Sequence, residues 1–356
     1  MIRIGLVGLG KMGISHLAIA NSHPDARVTA ACDSNGYVTD VLTRHTGLRC
    51  YGTYQEMLQR EQLDAVIVST PSRLHASMVA TALERGLHVF CEKPFVLDHR
   101  EGERLADVAE AKGLANQVGY HFRFVAAFAE AARIAASGAL GTIHHVRAEA
   151  YGPVVLRPRG NTWRAARSEG GGALYDYASH VIDLINFIVG PPIAVDGVVL
   201  RSIFSRDVED EVYCALAFAN SASGQLAVNW SDESYRKMFT RVSLWGSNGR
   251  LTADRQECQL YLREPNAALP EFEQGWTIRY TTELTPEVWY YLRGEEYSAQ
   301  IDYFISSIKL GRAAGTNCFR SAVQTDRVVA LLTGEAKPIA PASAKRPALI
   351  ARVFGA

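Results

Sequence analysis

The chain has 356 residues, too many for one ordinary core and enough for two domains, with 48% hydrophobic and 21% charged residues. Its 37 basic residues are matched by 37 acidic ones, which argues against intrinsic disorder, a nucleic-acid-binding surface or a polyanion partner. No run approaches the roughly 18 apolar residues of a membrane span, so a soluble, cytoplasmic protein with no membrane partner is expected.

The opening run, "MIRIGLVGLG", suits a buried strand better than a signal sequence. From there to about residue 120, short apolar runs alternate with helix-like stretches: "IRIGLVGLG", "GISHLAIANS", "ARVTAACD", "VTDVLTRHTG", "LDAVIVSTP", "HASMVATALERG", "LHVFCEKP" and "REGERLADVAEAKG". Strict alternation predicts a doubly wound α/β domain over residues 1–121, with a parallel sheet covered on both faces. Beyond it the pattern changes to a helix at 126–136, "IHHVRAEAYG", a triple-glycine helix, and alternating segments such as "EVYCALAFAN", "GQLAVNWSD" and "TRVSLWGSNG". This predicts an α+β domain over 122–334 built on a large, open, mostly antiparallel sheet. Helices are expected at 300–310 and 321–332, the last of them able to pack back on the first domain, with a C-terminal arm at 335–356. The six cysteines show neither Cys-x-x-Cys nor Cys/His ligand spacing, which argues against a disulfide framework or a structural zinc, and no metal site is expected.

Gly8, Gly10 and Gly13 stand in Gly-x-Gly-x-x-Gly order where the first strand meets the first helix, with Lys11 and Met12 between them. The first glycine permits a tight turn, the second lets the backbone approach a pyrophosphate, and the third lets helix and strand pack closely. Asp33 ends the next strand about 20 residues on, where a carboxylate accepts hydrogen bonds from an adenosine ribose. A carboxylate there repels a 2′-phosphate, and Ser34 and Asn35 offer no arginine to receive one. A Rossmann domain binding NAD in preference to NADP is therefore predicted.

Glu92, Lys93 and Pro94 end a later strand, on the crevice side of such a sheet. Lys93 there either binds a substrate hydroxyl or belongs to a strand-ending surface charge pair, and a cis Pro94 would fix its aim. Farther on, "GGGALYDYASHVID" places Asp176, His180 and Asp183 within roughly 60° on a helical wheel at about 100° per residue. Phe187 falls among them, which a merely solvated face does not require. Asp176 beside His180 would orient the imidazole and favour its protonated form. Asp183 would be either a second orienting carboxylate or a structural contact, and the glycines a close-packed hinge admitting substrate to the helix. Arg157, Arg159, Arg164 and Arg167 precede the helix as an anion clamp or a solubilising loop, Arg164 distinguished by its neighbour Trp163.

Together, "GLVGLGKMG", "DAVIVSTPSRLHASMVATALERGLHVFCEKP", "GYHFRF" and "WRAARSEGGGALYDYASHVID" resemble the glucose-fructose oxidoreductase / inositol dehydrogenase / MocA (Gfo/Idh/MocA) family. The resemblance implies a catalytic set of Lys93, Asp176 and His180. Thr70, Pro71 and His75 would cover the nicotinamide ribose, with Glu92 also on the cofactor side. Arg123 would line a substrate pocket together with Tyr120, His121, Trp163 and Arg164; His121 stands where the family commonly has Asn. The implied activity is NAD-dependent hydride transfer to or from a secondary alcohol or ketone of a sugar or cyclitol. A redox-neutral NAD-using lyase or glycosidase, and a non-catalytic dinucleotide sensor, are the alternatives. A homodimer or homotetramer through the C-terminal sheet is also implied.

Overall fold

The computed structural model describes residues 1–156, 163–286, 289–290 and 295–339. Arg157, Arg159 and residues 340–356 of the expected arm lie outside them. In the first half, strands β1 (Ile2–Val7), β2 (Ala26–Cys32), β3 (Arg49–Tyr51), β4 (Ala65–Val68), β5 (His88–Cys91) and β6 (Asn116–Val118) form one parallel sheet in the order 3-2-1-4-5-6. Helices α1 (Lys11–Ser22), α2 (Gly36–Thr46), α3 (Tyr54–Arg60), α4 (His75–Glu84) and α5 (His99–Ala111) connect the strands. Strand order reverses between β1 and β4, and in open α/β sheets that reversal opens the ligand crevice at the strand C-termini. Strand β4, Ala-Val-Ile-Val, is buried throughout because helices cover both faces.

The second half supplies α6 (Ala126–Ala136), β7 (Ile143–Tyr151), a π turn (Leu174–Ala178), α7 (Ser179–Ile188), β8 (Ala194–Arg201), β9 (Glu211–Ala217), β10 (Ser223–Asn229) and β11 (Phe239–Gly246). There follow β12 (Gly249–Asp254), β13 (Glu257–Leu262), β14 (Gly275–Tyr280), α8 (Thr281–Leu284), α9 (Glu295–Lys309) and α10 (Phe319–Thr333). Eight strands make a second sheet in the order 14-13-12-11-7-10-9-8, antiparallel except where β7 meets β10. Helices α6 and α7 cover one face, packing Phe128, Ile134, Val181 and Ile185 against Val146, Val212, Leu244 and Leu251. The outer side keeps Trp276, Ile278 and Tyr280 exposed on β14.

The last two helices return to the first sheet. Ile301, Phe304 and Ile305 of α9 join the core of Ile4, Leu6 and Ile19. Phe319, Ala322 and Val323 of α10 join the core of Val89, Phe95 and Leu105, with the Phe95 and Phe319 rings stacked at 4.2 Å. Helix α9 begins at Glu295 rather than at residue 300. Strand β3 is also absent from the periodicity, three residues being too few to show one. Among the described residues, no helix is long and apolar enough to cross a membrane.

Candidate active site

The glycine loop is shaped by close contacts. Gly8 has φ +89°, and a side chain there would meet the Ser69 carbonyl. A Cβ at Gly13 would lie 1.9 Å from the Gly8 carbonyl oxygen, whereas one at Gly10 would meet nothing within 4 Å. The open space over Gly10 and the first turn of α1, which has no side-chain cap, fit a dinucleotide pyrophosphate. Lys11 is exposed at the start of α1, and Met12 is half-buried. Asp33 closes the loop from below: its Oδ2 accepts the Leu9 amide at 2.6 Å and its Oδ1 the Asn35 amide at 2.8 Å, with Ser34 exposed beside it. Gly13→Ala is expected to weaken NAD binding at least about tenfold, measured by quenching of protein fluorescence. Unchanged affinity would show that the loop accommodates the methyl by shifting.

On the other side of the crevice, Thr70 and Pro71 follow β4, and His75 begins α4. His75 is not presented to a cofactor. It is buried, with Nδ1 at 2.9 Å from the Pro94 carbonyl and Nε2 at 3.0 Å from the Thr70 carbonyl, and burial pushes its pKa down. Its ring ties the Thr70–Pro71 loop to the segment after Lys93. Lys93–Pro94 is a cis peptide.

Glu92 is no surface charge. Its Oε1 meets His16 Nε2 at 2.7 Å, and the His16 side chain is fully enclosed. Burial alone would raise the Glu92 pKa, but the His16 hydrogen bond and the His16 and Lys93 charges outweigh it and hold the carboxyl below its ordinary value. His16, three residues past Gly13 on α1, went unnoticed in the sequence because a histidine among apolar helical residues carries no signal of its own.

Lys93 and Asp176 come together as expected, but Asp176 and His180 do not pair. Lys93 Nζ donates to Asp176 Oδ1 at 3.0 Å and to the Asp176 main-chain carbonyl at 3.1 Å, and Arg164 Nε donates to Oδ2 at 2.8 Å. Burial favours the neutral acid, yet the Lys93 and Arg164 charges hold Asp176 below the usual carboxylate value. Both Asp176 oxygens are thus taken by cations, and the backbone around it is a π turn over Leu174–Ala178 instead of the expected α-helix. The carbonyl that Lys93 reaches is one that an unbroken α-helix gives to the amide four residues on.

Among the described residues no carboxylate pairs with His180, which sits in a ring cage. The centroid of Tyr120 lies 5.9 Å from its own, that of His121 5.1 Å and that of Phe122 5.0 Å. Burial and then the Lys93 charge push its pKa well below 6.5, so the imidazole is neutral rather than protonated. His121, stacked on Tyr297 at 4.5 Å, is lowered to about 3 by burial and by Arg255. Tyr120 is fully enclosed and belongs to the cage wall.

Arg123 does not line a pocket. Its Nε and Nη2 grip both oxygens of Asp183 at 2.8 and 2.6 Å, and its Nη1 bonds the Thr316 carbonyl and Ser321. Burial disfavours the cation, but the Asp183 charge holds its pKa above the ordinary value. Asp183 is thus a structural partner, and Phe187 lies on the polar side of α7 because it faces the Arg123 guanidinium at 5.2 Å. Trp163 stacks on Arg164 at 4.6 Å. The glycine run is tightly packed: a Cβ on Gly171 would strike the Arg164 carbonyl at 2.5 Å, and one on Gly172, at φ +100°, would strike Glu209 at 2.1 Å. Glu209 accepts the Leu174 amide at 3.1 Å and the Arg167 guanidinium at 3.3 Å. The run fixes the start of the π turn and is no hinge. Arg255, between β12 and β13, lies 5.5 Å over the Phe122 ring and bonds Glu296 at 2.6 Å. Neither position stood out in the sequence.

Residues 2–120 match the family model of the GFO/IDH/MocA oxidoreductases described as an NAD-binding Rossmann fold, and residues 128–252 match that of the GFO/IDH/MocA C-terminal domain. The rhizopine catabolism protein MocA of Rhizobium meliloti is 31% identical over 53% of this chain and 57% of its own length. Levoglucosan dehydrogenase of Pseudarthrobacter phenanthrenivorans is 26% identical over 78% of this chain and 80% of its own. The solved structure of GenD2 from gentamicin A biosynthesis, in complex with NAD, superposes with a TM-score of 0.75 at 28% identity, covering 94% of this chain and 93% of that one.

Proposed function

Because this chain belongs to the Gfo/Idh/MocA family of NAD-dependent oxidoreductases, we propose that it moves a hydride between NAD and a secondary alcohol or ketone of a sugar, sugar derivative or cyclitol. The observation that carries this reading is the Lys93–Asp176 contact at 3.0 Å, set beside a neutral His180 at the C-terminal end of β5. Gly8, Gly10, Gly13 and the α1 N-terminus hold the pyrophosphate, Asp33 the adenosine ribose, and Thr70 and Pro71 the nicotinamide side. When bound, NAD supplies the hydride acceptor. Lys93, its ammonium aimed by Asp176, donates to the substrate hydroxyl oxygen and stabilises the negative charge that grows there. His180 takes the hydroxyl proton. Arg164, stacked on Trp163, holds the other oxygen of Asp176. Association through the open side of the eight-stranded sheet is supported by Trp276, Ile278 and Tyr280, which are exposed by 56, 45 and 48%.

The test is NADH formation across inositols, free sugars, sugar acids and nucleotide sugars, followed over pH with the best substrate. Since the neutral imidazole is the base and its pKa is depressed, kcat/KM for oxidation is expected to hold through neutral pH and to fall only below 6.5. An acid limb at or above 6.5 removes His180 as the base. Tight NAD binding with no NADH from any alcohol overturns the reading.

A further inference from the structure

We infer that Arg255 is a specificity-determining residue that receives an anionic group of the substrate, carboxylate or phosphate, carried about one ring's width from the hydroxyl handled by Lys93 and His180. This rests on the dehydrogenase reading and adds the class of substrate to it.

Arg255 comes from the turn between β12 and β13, far in sequence from the catalytic set. Its guanidinium carbon is 5.5 Å from the Phe122 ring centroid, and that centroid is 5.0 Å from that of the His180 ring. A single aromatic ring thus adjoins both Arg255 and the base. His121 flanks the same base and is stacked on Tyr297 of α9. Glu296, the residue before that tyrosine, is the carboxylate that anchors Arg255. Arg255, His121 and the first turn of α9 therefore form one wall beside His180.

The anchoring is partial. Arginine has five N–H donors in a planar fork, and among the described residues the one hydrogen bond of Arg255 runs from Nη2 to Glu296 Oε1 at 2.6 Å. The Glu296 side chain is 9% exposed and the Arg255 side chain 41%, so the pair is held at its base with the fork open. Arg123, by contrast, spends its donors on Asp183, Thr316 and Ser321. A half-exposed ion pair adds little to stability, so stability gives no reason to hold this cation against the ring that adjoins the base. The unspent face of a rigid fork matches a carboxylate or a phosphate with two parallel hydrogen bonds, where a neutral hydroxyl fills only one position.

The experiment compares matched substrates: hexose against hexuronate for the carboxylate, and inositol against inositol monophosphate for the phosphate. With wild-type enzyme, one anionic member exceeds its neutral parent in kcat/KM. Arg255→Gln lowers that value by about tenfold or more, mainly through KM, leaves the neutral parent within about threefold, and does not change NAD affinity. Arg255→Lys, which keeps the charge and loses the fork, falls between them. Equal losses for charged and neutral substrates, or a wild-type enzyme indifferent to charge in both pairs, overturns the assignment. Should no alcohol yield NADH, the dehydrogenase reading fails separately. Calorimetric titration of hexuronate and inositol monophosphate into the enzyme–NADH complex then decides on Arg255 alone, since the inference requires binding that Arg255→Gln weakens and is overturned if the variant binds equally well.

Discussion

Lys93→Ala lowers kcat for alcohol oxidation by about 100-fold or more and leaves the Kd for NAD within about threefold. Among the described residues, Lys93 Nζ is held by the carboxylate and carbonyl of Asp176, and its contribution grows as the substrate oxygen becomes negative. An interaction stronger in the transition state than in the ground state is lost from kcat rather than from binding. The Asp176 carboxylate left behind would still be held by Arg164 at 2.8 Å, so the fold survives the substitution. Steady-state and single-turnover kinetics, with NAD titrated separately, check the split. Activity within tenfold of wild type would remove Lys93 from the catalytic set.

Arg123→Met costs about 3–5 kcal/mol of stability, read as a fall in the urea midpoint at unchanged slope. The substitution keeps volume and removes the cation, leaving Asp183 buried without its bidentate partner and the Thr316 carbonyl without its donor. Asp183 has no route to water, since the Arg123 and Asp183 side chains are exposed by only 4 and 1%. Turnover per folded molecule is expected to change little, because the pair lies behind the ring cage and not in the crevice. A large fall in kcat at unchanged stability would restore Arg123 to the substrate pocket.

The parts of this protein most legible in its sequence are those whose function is local. Gly8, Gly10 and Gly13 declare a backbone shape, and Asp33 and Lys93 stand at strand ends, where the crevice of a parallel sheet has to be. The partners were not legible. Whether Asp176 pairs with His180 or with Lys93 depends on Lys93 and Arg164 reaching its two oxygens from elsewhere in the chain. Arg123 was expected to line the substrate pocket, but Asp183, 60 residues away, consumes it. His16 and Glu92 meet across 76 residues, and Arg255 reaches the site only because α9 begins early enough to bring Glu296 under it. In each case side chains that look equivalent along the chain are separated by burial and by which opposite charge arrives first.

The return of α9 and α10 also sets the rules for recombining this protein with its relatives. A crossover near residue 121 looks natural on the family boundaries, yet it would leave Phe90 without Phe304 and Phe95 without Phe319, rings that meet at 5.9 and 4.2 Å. The nucleotide half is discontinuous: two of its covering helices, α9 and α10, follow the second sheet along the chain. A chimera that exchanges substrate preference should therefore transplant the middle of the chain, from α6 through β14, and keep both ends from one parent.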